Sequence, residues 1–431
     1  MLTAFGRAFK TPDLRRKLLF TLAMIGLYRL GSVVPGPGVS YVAIQSCLDQ
    51  VQGDSLYGLV NLFSGGALLK LSVFALGIMP YITSSIIVQL LVVVIPRLET
   101  LKNEGQSGQA KLTQYTRYLT VALAILQSTG IVALARSGRL FPNCTAKIIP
   151  DESLFRILVL VLTLTAGTAV IMWLGELITD RGVGNGMSVL IFTSIISSIP
   201  AQAYRVAGQA NGAFILVAIS LLAMVVITLV VFVEQAQRRI PVQYAKRMIG
   251  RRMYGGTSTY IPLKVNQAGV IPVIFASSLL YLPQLLANVW SSNVGFSKFV
   301  NRYLATGDHP LYLLLYFSLI VFFTYFYVAI TFNPVEVSDN MKKYGGFVPG
   351  IRPGRATAEY LDYILSRITT FGALYLGCVA VLPYLLFSVT GGANRLPFGG
   401  TAVLIIVGVG LETVKQVESQ LMLRNYEGFL R

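Results

Sequence analysis

Apolar runs long enough to cross a bilayer as helices recur along the whole chain. A hydrocarbon core about 30 Å thick needs roughly 20 apolar helical residues. Ten runs of suitable length and composition lie at roughly 18–34, 71–95, 118–136, 154–175, 187–203, 212–233, 268–288, 311–332, 369–390 and 400–419. Because no long polar segment remains between them, the sequence predicts an all-α, polytopic membrane protein with ten transmembrane helices.

The composition supports a membrane protein without a cofactor. The 431 residues are 54% hydrophobic and 12% charged, and the mean hydropathy is +0.67. Cys47, Cys144 and Cys378 form no CxxC pair, so we expect no metal or redox site, although Cys47 and Cys144 both fall outside and are free to pair. The glycine-rich "RGVGNGMS" lacks the Lys-Ser/Thr ending of a phosphate loop and is interpreted as a tight turn.

A short apolar stub, about 57–69, precedes the second run and is too short to span the membrane. Short loops rich in Lys and Arg stay in the cytoplasm, so charge tests whether the stub crosses. With the N-terminus inside and a stub that does not cross, 25 of the 35 basic residues are cytoplasmic and 9 are outside. A crossing stub would export "RRIPVQYAKRMIGRR". We therefore expect the stub to enter from outside and turn back, and both termini to be cytoplasmic.

A re-entrant stub has a structural consequence. Irregular backbone at membrane depth is tolerated only where protein buries it or where it lines an aqueous cavity. Gly65, Gly66 and Lys70 are suited to a hinge for a short plug in a funnel. The alternative is an interfacial helix that lies flat on the outer leaflet.

Few ionisable residues lie near the middle of the runs. Arg29, Glu234 and Glu412 lie towards span ends, where snorkelling of the side chain to the interface is the simpler explanation. Ion-coupled transport usually needs ionisable groups near mid-membrane, so this distribution disfavours the alternative function, a secondary transporter of a small solute.

Ile78 and Ile82 lie four residues apart and share a helix face just after the stub. A ring of such residues would form a dry constriction, whereas a single pair is more often lipid-facing or part of a core.

Concentrated charge lies in two loops expected to be cytoplasmic, about 234–267 and 333–368. They contain "QRRIPVQYAKRMIGRRMYGG" and "KKYGGFVPGIRPGRATAEY", whose glycine, proline and aromatic content favours shaped tips. Such basic loops suit an anionic partner, for example RNA, an acidic protein surface or lipid headgroups. The alternative is that they only determine topology.

Several motifs resemble the SecY family, whose bacterial members are channel subunits of the Sec protein translocase. They are "FSGGAL", "ALGIMPYITSSIIVQLL", "EGQSGQAKLTQYTRYLT", "MWLGELITDRGVGNGMS", "RRIPVQYAKR", "PLKVNQAGVIPVIFASS" and "GFVPGIRPGRAT", in that order. The resemblance covers about 18–426 and implies two pseudo-symmetric halves, roughly 1–205 and 206–431. It also implies a lateral opening between spans 2 and 3 on one side and spans 7 and 8 on the other.

The resemblance implies four groups of site residues. The pore ring would consist of Ile78, Ile82, Ile191, Ile274 and Ile405. The plug would include Leu59, Asn61, Phe63, Ser64, Gly65 and Gly66. Polar residues at the lateral gate would be Gln89, Gln127 and Asn266. Docking of a motor or ribosome would use Arg239, Arg247, Arg251, Arg252, Arg352 and Arg355.

The resemblance also implies a function. The chain would be a protein-conducting channel, without enzymatic activity or cofactor, that secretes unfolded preproteins and releases hydrophobic helices into lipid. Its implied partners are SecE-like and SecG-like subunits, the SecA motor ATPase, the ribosome, preprotein signal sequences and membrane lipids. The expected location is the bacterial plasma membrane.

Overall fold

The computed structural model describes residues 11–50, 64–136, 138, 148–150, 153–208, 212–244, 247–249, 252–254, 258–289, 294–304, 309–389 and 400–427. Within these residues the protein is mainly helical. The helices of the first half are α1 (Pro12–Val33), α2 (Tyr41–Gln50), α3 (Met79–Val94), α4 (Pro96–Asn103), α5 (Gln106–Arg136), α6 (Leu154–Arg181) and α7 (Gly186–Ala207). Those of the second half are α8 (Gly212–Gln235), α9 (Ile271–Val289), α10 (Val294–Tyr303), α11 (Pro310–Thr331), α12 (Pro334–Lys343), α13 (Arg355–Val389) and α14 (Gly400–Glu427).

Each of the ten predicted spans overlaps one of these helices. Five helices of the described chain are long and apolar enough to cross a membrane unaided, or six if α3 and α4, which are bent by 101°, form one span. Shorter apolar stretches occur at Gly186–Pro200, Ser220–Gln235 and Ile271–Leu280. The bend between α3 and α4 lies at Ile95, directly before Pro96, because proline disfavours helical backbone in the residue before it.

The prediction that span 2 begins near residue 71 is wrong for its first turns, because α3 begins only at Met79. Pro80 lies in the first turn of α3, the position that a helix tolerates for proline. The preceding backbone instead bonds to the end of span 1: the Gly36 N–H donates to the Leu71 carbonyl at 2.9 Å, and the Val73 N–H to the Val34 carbonyl at 3.0 Å. These contacts satisfy backbone groups that the predicted helix would have satisfied internally.

Other helices extend beyond their apolar runs. α5 begins twelve residues before the predicted span, at Gln106, and α13 has 35 residues because it begins at Arg355. At a rise of 1.5 Å per residue, α13 is roughly 50 Å long and exceeds the hydrocarbon core. An apolar run predicts only the part of a helix that contacts lipid. Polar residues that also favour helix extend the helix beyond the membrane into water.

The helices close into a ring. α3 packs on α5, α5 on α6, and α6 on α7, while α1 lies against α6 and α7. α7 contacts α8 and α14, and the ring continues through α13, α11 and α9. α9 then packs against α3 and α5, so the two halves meet at two seams. The largest hydrophobic cluster receives residues from both halves.

The two basic loops fold together as a small β unit, which the sequence analysis did not predict. The strands are β1 (Gln237–Tyr244), β2 (Arg247–Ile249), β3 (Arg252–Tyr254), β4 (Ser258–Lys264) and β5 (Gly346–Phe347). A three-stranded sheet has the order β4-β1-β5, and β2 pairs separately with β3. β1 buries Ile240 and Val242 and exposes Pro241 between them, as the alternation of a strand requires. These two residues pack with side chains of α12 and α13 in one core.

Candidate functional site

The five predicted ring residues lie in one apolar cluster. Ile78 precedes the first residue of α3, and the others lie on α3, α7, α9 and α14. Their exposed fractions are 2% for Ile78, 7% for Ile82, 3% for Ile191, 6% for Ile274 and 0% for Ile405. All five belong to the largest hydrophobic cluster, so positions more than 300 residues apart in sequence are brought together by the ring of helices. Such a wall offers ions neither charge nor hydrogen bonds.

The described part of the stub is buried in protein. Ser64, Ala67 and Leu68 each have an exposed fraction of 0%, and Leu68 packs in a cluster with Ile131 and Leu164. This burial favours a segment that turns into the protein over a helix lying flat on the outer leaflet. Gly65 and Gly66 adopt φ values of +65° and +87°, which residues with a side chain rarely adopt, so a sharp turn begins here. The predicted plug residues Leu59, Asn61 and Phe63 lie outside the described residues.

Arg29 corrects one expectation from the sequence. Its Nη1 donates to the Gly65 carbonyl at 3.1 Å and to Ser197 Oγ of α7 at 2.7 Å. The guanidinium therefore binds groups inside the protein instead of only snorkelling to the interface. The neighbouring Tyr28 hydroxyl hydrogen-bonds to Ser194 Oγ at 2.6 Å. Sequence reasoning missed both contacts because the partners are 36 to 168 positions away.

The three predicted gate residues are not joined to one another by the hydrogen bonds seen among the described residues. Asn266 Nδ2 donates to Glu234 Oε1 at 2.5 Å and to the Gly269 carbonyl at 3.0 Å. Gln89 Nε2 lies 3.5 Å from Ser85 Oγ on its own helix. Gln127 is buried on α5, one of the helices that contact α9. A polar contact shared by the three is therefore not seen in this conformation.

Lys102 makes a contact between the two halves that the sequence analysis missed. Its Nζ donates at 3.3 Å to the carbonyl of Ile330, in the last turn of α11. Carbonyls at a helix C-terminus lack intrahelical partners and carry partial negative charge, so a lysine is favourable there. The available sequence signal was a basic residue in a short loop, which does not identify the helix end that it meets.

Five of the six predicted docking arginines lie within the described residues, on strands, on a turn or at the start of α13. The Arg239 guanidinium lies over the Tyr260 ring, 4.8 Å from its centroid, across the β1–β4 pair. Arg355 is exposed and pairs with Glu359 one turn later at 2.9 Å. Arg247 and Arg252 lie on β2 and β3, whereas Arg251 lies outside the described residues.

Arg352 projects from a fixed turn. It is exposed, and its carbonyl accepts a hydrogen bond from Thr357 Oγ1 at 2.8 Å. The carbonyl of Gly354 accepts from buried Ser338 Oγ of α12 at 2.7 Å. Because the turn is pinned at both of these carbonyls, Arg352 can offer its charge to a partner with little loss of backbone entropy.

The remaining candidate groups are the cysteines, possible metal ligands and the single histidine, His309. Cys47 is disulfide-bonded, Cys378 is a free thiol, and Cys144 lies outside the described residues. No group of three or more His, Cys, Asp or Glu side chains able to hold a metal ion occurs among the described residues. His309 caps α11 by accepting the Leu311 N–H through Nδ1 at 3.2 Å.

Comparisons with known proteins agree with this arrangement. The SecY family model matches residues 72–414. The chain is 64% identical to the protein translocase subunit SecY of Streptomyces scabiei and 60% identical to that of Mycobacterium tuberculosis, each over the full length of both chains. Among solved structures, a protein-conducting channel shares a TM-score of 0.65 at 17% identity, covering 94% of this chain and 92% of the other.

A second structural neighbour is Sec61 in a canine ribosome–channel complex from the endoplasmic reticulum. It has a TM-score of 0.61 at 17% identity and the same coverage of both chains. The solved structures support the helical fold, and the family model and the full-length relatives identify the protein family. The chain belongs to the SecY family.

Proposed function

We propose that this chain is the protein-conducting channel of a bacterial Sec translocase. It passes unfolded preproteins across the membrane and releases hydrophobic segments sideways, without catalysing a reaction itself. The observation that carries the proposal is the gathering of Ile78, Ile82, Ile191, Ile274 and Ile405 into one apolar cluster within a ring of helices. The named relatives and the fold support the same function.

The isoleucine cluster suits a pore that must pass many sequences. Apolar walls hold water weakly when no chain is present, so a narrow constriction resists ions by dewetting. The same walls offer no hydrogen bond or charge that would retain one passenger sequence. The stub, about 57–69, acts as the plug on the outer side, and its described base is buried beside α1 and α7.

The seam at which α9 meets α3 and α5 is the proposed lateral gate. Each apolar residue gains roughly 0.3 to 0.6 kcal/mol on entering the centre of a bilayer, so about 20 of them gain several kcal/mol. A polar segment gains nothing. A side opening therefore lets the bilayer sort the passengers, and Gln89, Gln127 and Asn266 are proposed to tune the closure of this gate.

The proposed orientation places both termini and the β unit in the cytoplasm of a bacterial cell, with the chain in the plasma membrane. The excess of Lys and Arg in segments that would then be cytoplasmic supports it. The halves, roughly 1–205 and 206–431, would be clamped by a SecE-like subunit, and a SecG-like subunit would be a further partner. Signal sequences and membrane lipids would meet at the gate.

The β unit is the proposed docking surface for the SecA motor ATPase and for the ribosome. The proposed contacts are Arg239, Arg247 and Arg252 on its strands, Arg352 and Arg355 in the adjoining turn and at the start of α13, and Arg251, which lies outside the described residues. Exposed positive charge on ordered strands and on a pinned turn supports a role beyond topology, because a topology signal needs no fixed shape.

The function is tested by import into proteoliposomes. The full chain is reconstituted with matching SecE-like and SecG-like subunits and SecA, and supplied with ATP and a signal-bearing precursor. We expect the precursor to become protected from protease only when ATP is present. No protection, despite correct insertion and an active motor, would contradict the proposal, and flux of a small solute through the chain alone would revive the transporter alternative.

In the same assay, Arg352→Glu should abolish most ATP-driven import, because it reverses the charge on the pinned turn while leaving Thr357 and Ser338 bonded to backbone carbonyls. The matched control is Lys298→Glu, which reverses an exposed charge on α10, expected on the opposite face. Equal loss of membrane-inserted protein in the Arg352 variant would instead make Arg352 a folding residue.

A further inference from the structure

Polar contacts join the base of the stub, Ser64 to Gly66, to helices α1 and α7. The Tyr28 hydroxyl bonds to Ser194 Oγ at 2.6 Å and lies 3.5 Å from the Ser64 carbonyl. One residue further along α1, Arg29 Nη1 donates to the Gly65 carbonyl at 3.1 Å and to Ser197 Oγ at 2.7 Å. Two consecutive residues of α1 thus reach both the stub and α7.

The backbone of the stub base approaches these groups closely. A Cβ atom at Gly65 would lie 3.1 Å from Arg29 Nη1 and 3.3 Å from Ser194 Cα, and the φ of Gly65 is +65°. Only glycine fits both the space and the conformation without strain. The close approach is what places the Gly65 carbonyl within reach of the guanidinium.

The surroundings make these bonds costly to break. Tyr28 and Ser194 are each 1% exposed, and Ser64 is fully buried. A hydrogen bond with a charged donor is roughly twice as strong as a neutral one. A buried polar group left without any partner also costs free energy, because water cannot replace the lost bond. If the stub base leaves, partly buried Arg29 loses a carbonyl acceptor, and fully buried Ser64 leaves its packed position.

We propose that Tyr28 and Arg29 of α1, with Ser194 and Ser197 of α7, form a latch that holds the stub base in the closed channel. The inference rests on the proposed channel function and assigns positioning residues to it. The latch sets how often the empty channel opens. The latch residues lie on α1 and α7, whereas the proposed lateral gate lies between α9 and the pair α3 and α5. Variants can therefore weaken the latch without changing a residue of the gate.

The test measures ion leak through proteoliposomes that contain the full chain and its partner subunits but no precursor. We expect Arg29→Gln to raise the leak roughly tenfold, the factor that corresponds to losing one charge-assisted hydrogen bond. Tyr28→Phe and Ser197→Ala, which each remove one hydroxyl, should raise it less. Ser198→Ala is the matched control, because Ser198 Oγ donates to the Ile195 carbonyl within α7 at 2.7 Å, and its leak should equal that of wild type.

Two further measurements separate a latch from a general loss of structure. Import of a signal-bearing precursor should be retained in the leaky variants, whereas a folding defect would lower import and inserted protein together. Adding Ser197→Ala to Arg29→Gln should increase the leak little, because both changes remove the same bond.

Outcomes distinguish the latch from the underlying function. Wild-type leak from correctly inserted Arg29→Gln would overturn the latch. If Arg29→Gln does not insert, wild-type leak from both Tyr28→Phe and Ser197→Ala would overturn it equally. Absence of import by the wild-type channel would contradict the proposed function instead.

Discussion

Gly167 of α6 lies against the backbone of the segment that leads into α3. A Cβ atom there would sit 2.9 Å from the carbonyl carbon of Val73 and still closer to its oxygen. Neither atom belongs to a flexible side chain, so a methyl group would have to displace backbone. The Val73 N–H is itself bonded to the Val34 carbonyl at 3.0 Å, which couples α6 to the end of α1 through this segment.

Gly167→Ala should therefore lower the free energy of unfolding by roughly 1 to 3 kcal/mol, the usual cost of forcing an extra methyl into a packed site. The control is Gly26→Ala in α1, where no atom beyond the adjacent residues and the local helix backbone lies within 4 Å of the added Cβ, and alanine is the better helix former. Thermal unfolding of both variants in detergent measures the difference. A Gly167 variant as stable as the Gly26 variant would contradict the close packing.

The five isoleucines show how much a sequence can reveal about single residues. Ile78, Ile82 and Ile274 lie within the motifs that resemble the family, whereas Ile191 and Ile405 lie outside them. The structure places all five in one apolar cluster, and their role as a pore ring stays a prediction. The contacts of Arg29 could not be predicted, because hydropathy indicates only that an arginine lies near a span end. Its acceptors, the Gly65 carbonyl and Ser197, come from segments that no local pattern connects to α1.

The helices and strands were predictable to different degrees. Each apolar run overlaps a helix, but the runs could not show that α13 begins at Arg355 or that α3 is delayed to Met79. The strands were missed because β1 and β4 contain prolines at 241 and 262, which are infrequent within sheets. β1 pairs with β4 of its own loop and with β5 of the second loop. No local pattern in the sequence predicts a pairing between strands so far apart.

Lys102 of α4 offers a test of the seam between the halves. Removing its hydrogen bond to the Ile330 carbonyl should loosen the contact of α4 with the end of α11. A charge at a helix C-terminus is worth about 0.3 to 1 kcal/mol, so Lys102→Ala should increase export of a precursor with a weakened signal sequence about two- to fivefold.

Lys111→Ala, which removes an exposed lysine from α5, is the control for lost charge. Export of the weakened precursor should match that of wild type in this control. Equal export by the Lys102 and Lys111 variants would mean that the contact does not restrain the gate.

The arrangement of the whole chain combines a continuous ring of helices with an apolar centre and a basic β unit. The ring joins α9 to α3 and α5 on one side and α7 to α8 and α14 on the other. The centre can exclude ions only if its walls stay apolar, and the β unit can bind a partner only if its turns stay ordered. If the chain conducts proteins as proposed, a passenger must pass between the two halves through the isoleucine cluster.

This passage is tested most directly by photo-crosslinking to a stalled precursor. A photoreactive side chain replaces Ile191 or Ile405 in the cluster or, as control, Ile196, which is 39% exposed on the same helix as Ile191. We expect crosslinks to the precursor from positions 191 and 405 and none from position 196. Crosslinks from position 196 alone, with none from the cluster, would contradict it.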